Sequence, residues 1–99
     1  MATMIAKMRV ANFERWKEDF ESMTGLRGKS GWIEHRVVRD ATDPNVVTVI
    51  SRVSDLDSAK RYGQSNELRD AMKRSGVLSP PEIAFCEDES ERRYDAGGS

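Results

Sequence analysis

The sequence predicts an α+β fold in which a four-stranded antiparallel sheet carries its helices on one face. Three observations support this. Four stretches, at 3–11, 32–39, 46–53 and 82–88, are short, alternating or β-branched, and bounded by turn residues. Two stretches between them, 13–23 and 56–75, place apolar residues at spacings of three and four. Their order, β-α-β-β-α-β, is that of the ferredoxin-like split βαβ unit.

In the first strand Met4, Ala6, Met8 and Val10 alternate with Ile5, Lys7, Arg9 and Ala11. Asn12 can cap the helix that follows, because its side-chain oxygen accepts a free amide of the first turn. Phe13, Trp16, Phe20 and Met23 make one apolar stripe, with Glu14, Lys17, Glu18 and Glu21 outside it. Gly25 and Gly28 are expected to end that helix and open a basic loop, LRGKSG. The turn Asp43-Pro44-Asn45 joins strands two and three. Ser54 and Asp57 have capping-box spacing. Leu56, Ala59 and Tyr62 give a short stripe that Gly63 interrupts. Ser65 is a fresh N-cap, Leu68, Ala71 and Met72 continue the apolar face, and Gly76 suits a left-handed C-cap. Pro80-Pro81 forbids further helix before the last strand. Residues 1–89 are expected to form one domain, and 90–99 a disordered polar tail.

Ninety-nine residues support one small core. Sixteen basic and seventeen acidic side chains nearly cancel, which offers no excess for a phosphate backbone or an anionic membrane. No apolar run approaches the roughly 20 residues of a membrane span, and the N-terminus lacks a signal peptide's apolar core. A cytoplasmic protein without nucleic-acid or membrane partners is the expectation. One cysteine and one histidine exclude a disulfide framework and a His/Cys metal cluster. No Gly-rich phosphate loop is present, and the central strands carry no aromatics for stacking RNA bases. No metal and no cofactor are expected.

The third strand, VVTVISRV, is apolar on both sides. Val46, Thr48 and Ile50 lie on one face and Val47, Val49 and Val53 on the other. Only one set can meet the helices. The other joins an apolar patch that monomers rarely expose. Covering several hundred Å² at about 25 cal/mol per Å² predicts a homodimer packed sheet against sheet.

Several residues together resemble the dimeric α+β barrel superfamily, in particular its antibiotic-biosynthesis-monooxygenase-like branch. They are Val10-Ala11-Asn12-Phe13 with Trp16 and Phe20; Gly31, His35, Val37 and Arg39-Asp40; Asp43-Pro44-Asn45 with the valine-rich strand; Ser65, Glu67-Leu68 and Ala71-Met72; and Gly76-Val77 before Pro81. The likeness spans about residues 4–88. It implies a pocket between helices and sheet in each protomer. The superfamily holds cofactor-independent monooxygenases of polyketide aromatics, polyketide cyclases, haem-degrading enzymes and small proteins of other roles, so fold does not settle activity. The axial histidine of the haem-degrading relatives has no counterpart in residues 55–75.

Within that frame His35 is the candidate base, since imidazole exchanges protons near neutral pH; its ordinary role is a hydrogen-bonded packed histidine. Tyr62 and Asn66 flank the Gly63 break and are candidate donors to a ligand oxygen; the ordinary alternative is a kinked helix with surface polar groups. Trp16, Phe20, Trp32 and Met72 are candidates for substrate contact. Trp16 lies on a stripe that core packing alone would explain. Trp32 is expected to share a face with Glu34 and Arg36, which suits a dimer contact or strand-end packing. Cys86 is expected to be buried and inert. The resulting reading is a cofactor-independent enzyme, a monooxygenase, acting on a phenolic or polyketide-like small molecule. A cyclase with the same pocket and a non-enzymatic binding or stress-response dimer are its alternatives.

Overall fold

The computed structural model describes residues 1–29 and 31–95; of Leu26 it describes the backbone alone. The elements are β1 (Ala2–Arg9), α1 (Phe13–Glu21), α2 (Thr24–Lys29), β2 (Trp32–Arg39), β3 (Val46–Val53), α3 (Leu56–Gly63), α4 (Asn66–Arg74) and β4 (Glu82–Glu87). The sheet order is β2-β3-β1-β4, with every pair antiparallel. This is the expected ferredoxin-like architecture.

The sheet's two faces follow from period-two alternation. Ala2, Met4, Ala6 and Met8 of β1 are buried, as are Val47, Val49, Ser51 and Val53 of β3. They meet Phe13 and Trp16 of α1 and Ala59 of α3 in two adjoining cores. The opposite face carries Ile5, Val46, Thr48 and Ile50, all half-buried, with no helix above them. Cys86 belongs to this open face, paired with Thr3 and half-buried, rather than to the core as expected.

The caps explain the helix limits. The Asn12 side chain accepts from Arg15 N at 3.0 Å, and the Ser65 hydroxyl from Leu68 N at 3.2 Å. The cap of α3 is Asp55 rather than Ser54: its carboxylate accepts from Asp57 N and from the Ser58 hydroxyl. At the end of α4, Gly76 takes φ +80°. Val77 N then donates to Met72 O and Gly76 N to Lys73 O, the paired bonds of a Schellman stop.

Two expectations fail for tertiary reasons. The predicted basic loop is in part the short helix α2 (its residue 30 lies outside the described residues). Two glycines disfavour a helix intrinsically, yet α2 forms and places Arg27 so that its Nη2 donates to the Phe20 carbonyl at the end of α1. In β2 the register slips between Trp32 and Glu34: Trp32 pairs with Val53, Glu34 with Arg52 and His35 with Ser51. Ile33 is the extra residue of this bulge and is half-exposed. The slip reverses Trp32, which joins His35 and Val37 on the helix side and packs against both cores.

Past β4 the chain has no helix or strand up to residue 95, and Glu91 reaches Arg52 on the open face at 3.1 Å. The remainder of the expected tail, 96–99, lies outside the described residues. Among the described residues no helix is long and apolar enough to cross a membrane.

Candidate functional site

The apolar stripe of α1 forms a column of rings. Phe13 and Trp16 lie 6.0 Å apart, and Trp16 and Phe20 stack at 5.0 Å with planes 17° apart. A guanidinium closes each end: Arg39 lies 3.8 Å over Phe13, and Arg27 lies 3.7 Å over Phe20. Such contacts favour the cation because the ring face is electron-rich.

Beneath Trp16 and Phe20, between helices and sheet, is a chamber. Met4, Ala6, Met8 and Val49 make its floor, and Leu68, Ala71 and Met72 of α4 close it opposite. Arg27, Trp32 and Tyr62 complete the wall. In the present side-chain arrangement the cavity measures about 60 Å³. Four of the chain's five methionines (Met4, Met8, Met23 and Met72) line it. Their unbranched thioethers turn easily, so the chamber can widen around a flat ligand without moving backbone.

The lining is apolar apart from Ser75 and a polar set at one end. Arg27 is only 3% exposed. Its Nη2 serves the Phe20 carbonyl, while its Nε is buried without a partner. The Trp32 Nε1–H is likewise buried and unpartnered. Trp32 meets Tyr62 edge to face at 5.6 Å, and the Arg27 guanidinium is 5.7 Å from the Trp32 ring. Arg27 and Tyr62 act on each other electrostatically. Burial pushes the Arg27 guanidinium below its ordinary value, with Tyr62 and Glu21 pulling it back. Burial likewise raises the Tyr62 phenol, against the pull of Arg27. At neutral pH the pair is therefore a cation beside a protonated phenol.

Of the residues expected from sequence, Trp16, Phe20, Trp32, Tyr62 and Met72 line the chamber. His35 does not. It packs on the edge of Phe20 at 5.0 Å, its Nε2 lies 3.7 Å from Glu21, and it lines an outer hollow that shares only Arg27 and Trp32 with the chamber. Asn66 is the exposed first residue of α4 and does not line it either, because the Ser65 cap starts a new helix there and turns position 66 outward. Sequence reasoning missed Arg27. An arginine among glycines reads as a solvated loop charge, and the one available signal was its four-residue distance from Met23, the last apolar position of the α1 stripe. Among the described residues no three His, Cys, Asp or Glu side chains come together to hold a metal ion.

Comparison with solved structures shows the same fold repeatedly. A Bordetella bronchiseptica protein described as an antibiotic biosynthesis monooxygenase superposes with a TM-score of 0.73 at 15% identity, covering 90% of this chain and 97% of its own. SnoaB, a cofactor-independent oxygenase from Streptomyces nogalater, gives 0.72 at 14% identity, covering 91% and 94%. A Caulobacter crescentus protein described like the first gives 0.69 at 16% identity, covering 90% of each chain. At such identities the likeness concerns fold alone. No curated protein matches the sequence. The family model for antibiotic biosynthesis monooxygenases matches residues 1–74, three-quarters of the chain, and by that match the chain belongs to the antibiotic biosynthesis monooxygenase family.

Proposed function

We propose that the chain is a cofactor-independent monooxygenase of a planar phenolic or polyketide-like small molecule, working as a homodimer joined through the open sheet face. The observation that supports this most is the chamber itself, an apolar space lined by Trp16 and Phe20 with hydrogen-bond donors at one end. A dry chamber with few, placed polar groups is the usual form of a small-molecule site. The family and the likeness of fold to SnoaB support oxygen as the co-substrate.

An electron-rich phenol or enol that has lost its proton passes an electron to O2. The radical pair joins at carbon as a peroxide, and loss of water leaves a carbonyl. A CH2 group thus becomes C=O; one oxygen atom stays in the product and the other leaves as water. All four electrons come from the substrate. The chain's part is to exclude water from the peroxide, hold the ring among the apolar side chains of the chamber, and donate from Tyr62 to the substrate oxygen. His35 and Asn66 touch no ligand in this reading.

The test is oxygen uptake by the purified protein with planar phenols and enols, in air and under nitrogen. One O2 consumed per product, with no product under nitrogen, is the expected result. Turnover under nitrogen would overturn it in favour of a cyclase. The small enclosed volume favours a second reading, a non-catalytic binding dimer, whose signature is thermal stabilisation by phenols without oxygen uptake.

A further inference from the structure

We propose that the chamber takes its ligand as an anion, and that Arg27, with Trp32 and Tyr62, is the group that ionises and holds the ligand oxygen. The proposal deepens the proposed function and rests on it for the class of ligand.

A buried guanidinium ordinarily has a carboxylate against it. Here the acidic group that acts on Arg27, Glu21, lies against His35 instead, and the cation is met by the ring of Phe20 and the Phe20 carbonyl. Each is a partial negative charge, and neither neutralises it. An unpaired buried cation is costly unless something completes it. A further donor on the same wall, the Trp32 Nε1–H, also lacks an acceptor, and the Tyr62 phenol stands beside it. Two unmet donors and one full positive charge on an otherwise apolar wall call for one ligand chemistry: an oxygen bearing negative charge, attached to a flat apolar body. A phenolate or enolate has this form, and a neutral ether of the same shape does not.

Base chemistry then needs no base inside the chamber. Burial raises a hydroxyl's pKa and a cation against it lowers it; on Tyr62 burial wins, so the ligand ionises through direct contact of its oxygen with Arg27 and the Trp32 Nε1–H, and its proton leaves to solvent. This fits the position of His35 in the outer hollow, with Phe20, Arg27 and Trp32 between it and the ligand.

The experiment uses 4-nitrophenol, which absorbs visible light only when ionised, titrated with pH in the presence of excess full-length protein. Its midpoint is expected to fall by at least one pH unit on binding, a tenfold preference for the anion, and 4-nitroanisole is expected to bind at least tenfold more weakly. Arg27→Met should abolish the shift, Arg27→Lys should restore part of it, and His35→Ala should leave it intact. A bound midpoint at or above the free value, the wild-type shift persisting in Arg27→Met, or no binding of 4-nitrophenol to the folded protein would each overturn the proposal. Oxygen uptake is read separately. A shift without oxygen uptake for any phenol removes the monooxygenase and keeps the anion site; uptake without a shift does the reverse.

Discussion

Arg27→Met should leave the free protein as stable as the wild type or more so, although it removes a hydrogen bond and two ring contacts. The lost bond to the Phe20 carbonyl is charge-assisted, about 1.5–3 kcal/mol. The lost cation contact, 3.7 Å over Phe20, is about 1–2 kcal/mol. The carbonyl is not orphaned, because Met23 N already donates to it at 3.2 Å. Against these losses stands the relief of a cation that is 3% exposed and faces no carboxylate at contact distance, several kcal/mol by the usual desolvation of an unpaired ion. Methionine keeps the unbranched stem, so no cavity opens. The balance runs from zero to about 2 kcal/mol in favour of the variant, on the scale by which buried ionic groups compare with apolar isosteres. Urea titration at neutral pH measures it. Adding a phenol at 100 times its Kd should raise wild-type stability by about 2.7 kcal/mol and the variant's far less. If Arg27→Met unfolds the free protein more easily by over 1 kcal/mol, Arg27 is a structural staple between α1 and α2, and the ligand argument built on its unmet charge is wrong.

Three further outcomes follow from other parts of the structure. If the proposed sheet-to-sheet dimer exists, the wild type sediments at twice 11.2 kDa and Ile50→Glu on the open face at 11.2 kDa, with the helical circular dichroism unchanged; a wild type of 11.2 kDa refutes the dimer, and an unchanged doubled particle refutes its placement on this face. Tyr62 has a folded-state pKa raised above its ordinary 10.0, so its stabilising contribution is complete below pH 10 and lost as pH rises through the higher folded value. Denaturant titrations above pH 10 should show the wild type losing more stability than Tyr62→Phe. Asp55→Ala removes the α3 cap and should lower the urea midpoint. Asp55 lies below the ordinary carboxylate value, chiefly through the Ser58 hydroxyl, so its contribution is present above pH 3.8 and fades as pH falls through the lower folded value; the variant's deficit should shrink in acid.

The strands and caps were legible because local chemistry decides them. The bounds of β2 and β3 follow from turn residues and β-branched runs, and the stop after α4 from a glycine able to adopt positive φ. The apolar chamber residues were legible as a stripe, since α1 buries one face whatever lies beneath it. What could not be read depended on contacts distant in sequence. Gly25 and Gly28 argue against α2, and the reach of Arg27 back to Phe20 depends on how α2 folds against α1. Trp32 was assigned to the wrong face because strict alternation assumes an unbroken ladder. His35 drew attention as the single imidazole, but its place beside Glu21 depends on the packing of α1 over β2, which no local pattern encodes.

Ile33 has a consequence out of proportion to its side chain. It is a miscounted step at the rim of the sheet, on an edge strand with a single neighbour. Without that step the indole of Trp32 would point out through the floor, and the pocket would lose a buried donor and the ring that packs on Tyr62. Substitution at 33 changes little there, whereas loss of one residue at this point re-aims everything before it. Among proteins built on this frame, the length of the segment entering β2 should therefore govern what the interior can hold more strongly than the identity of any residue along it.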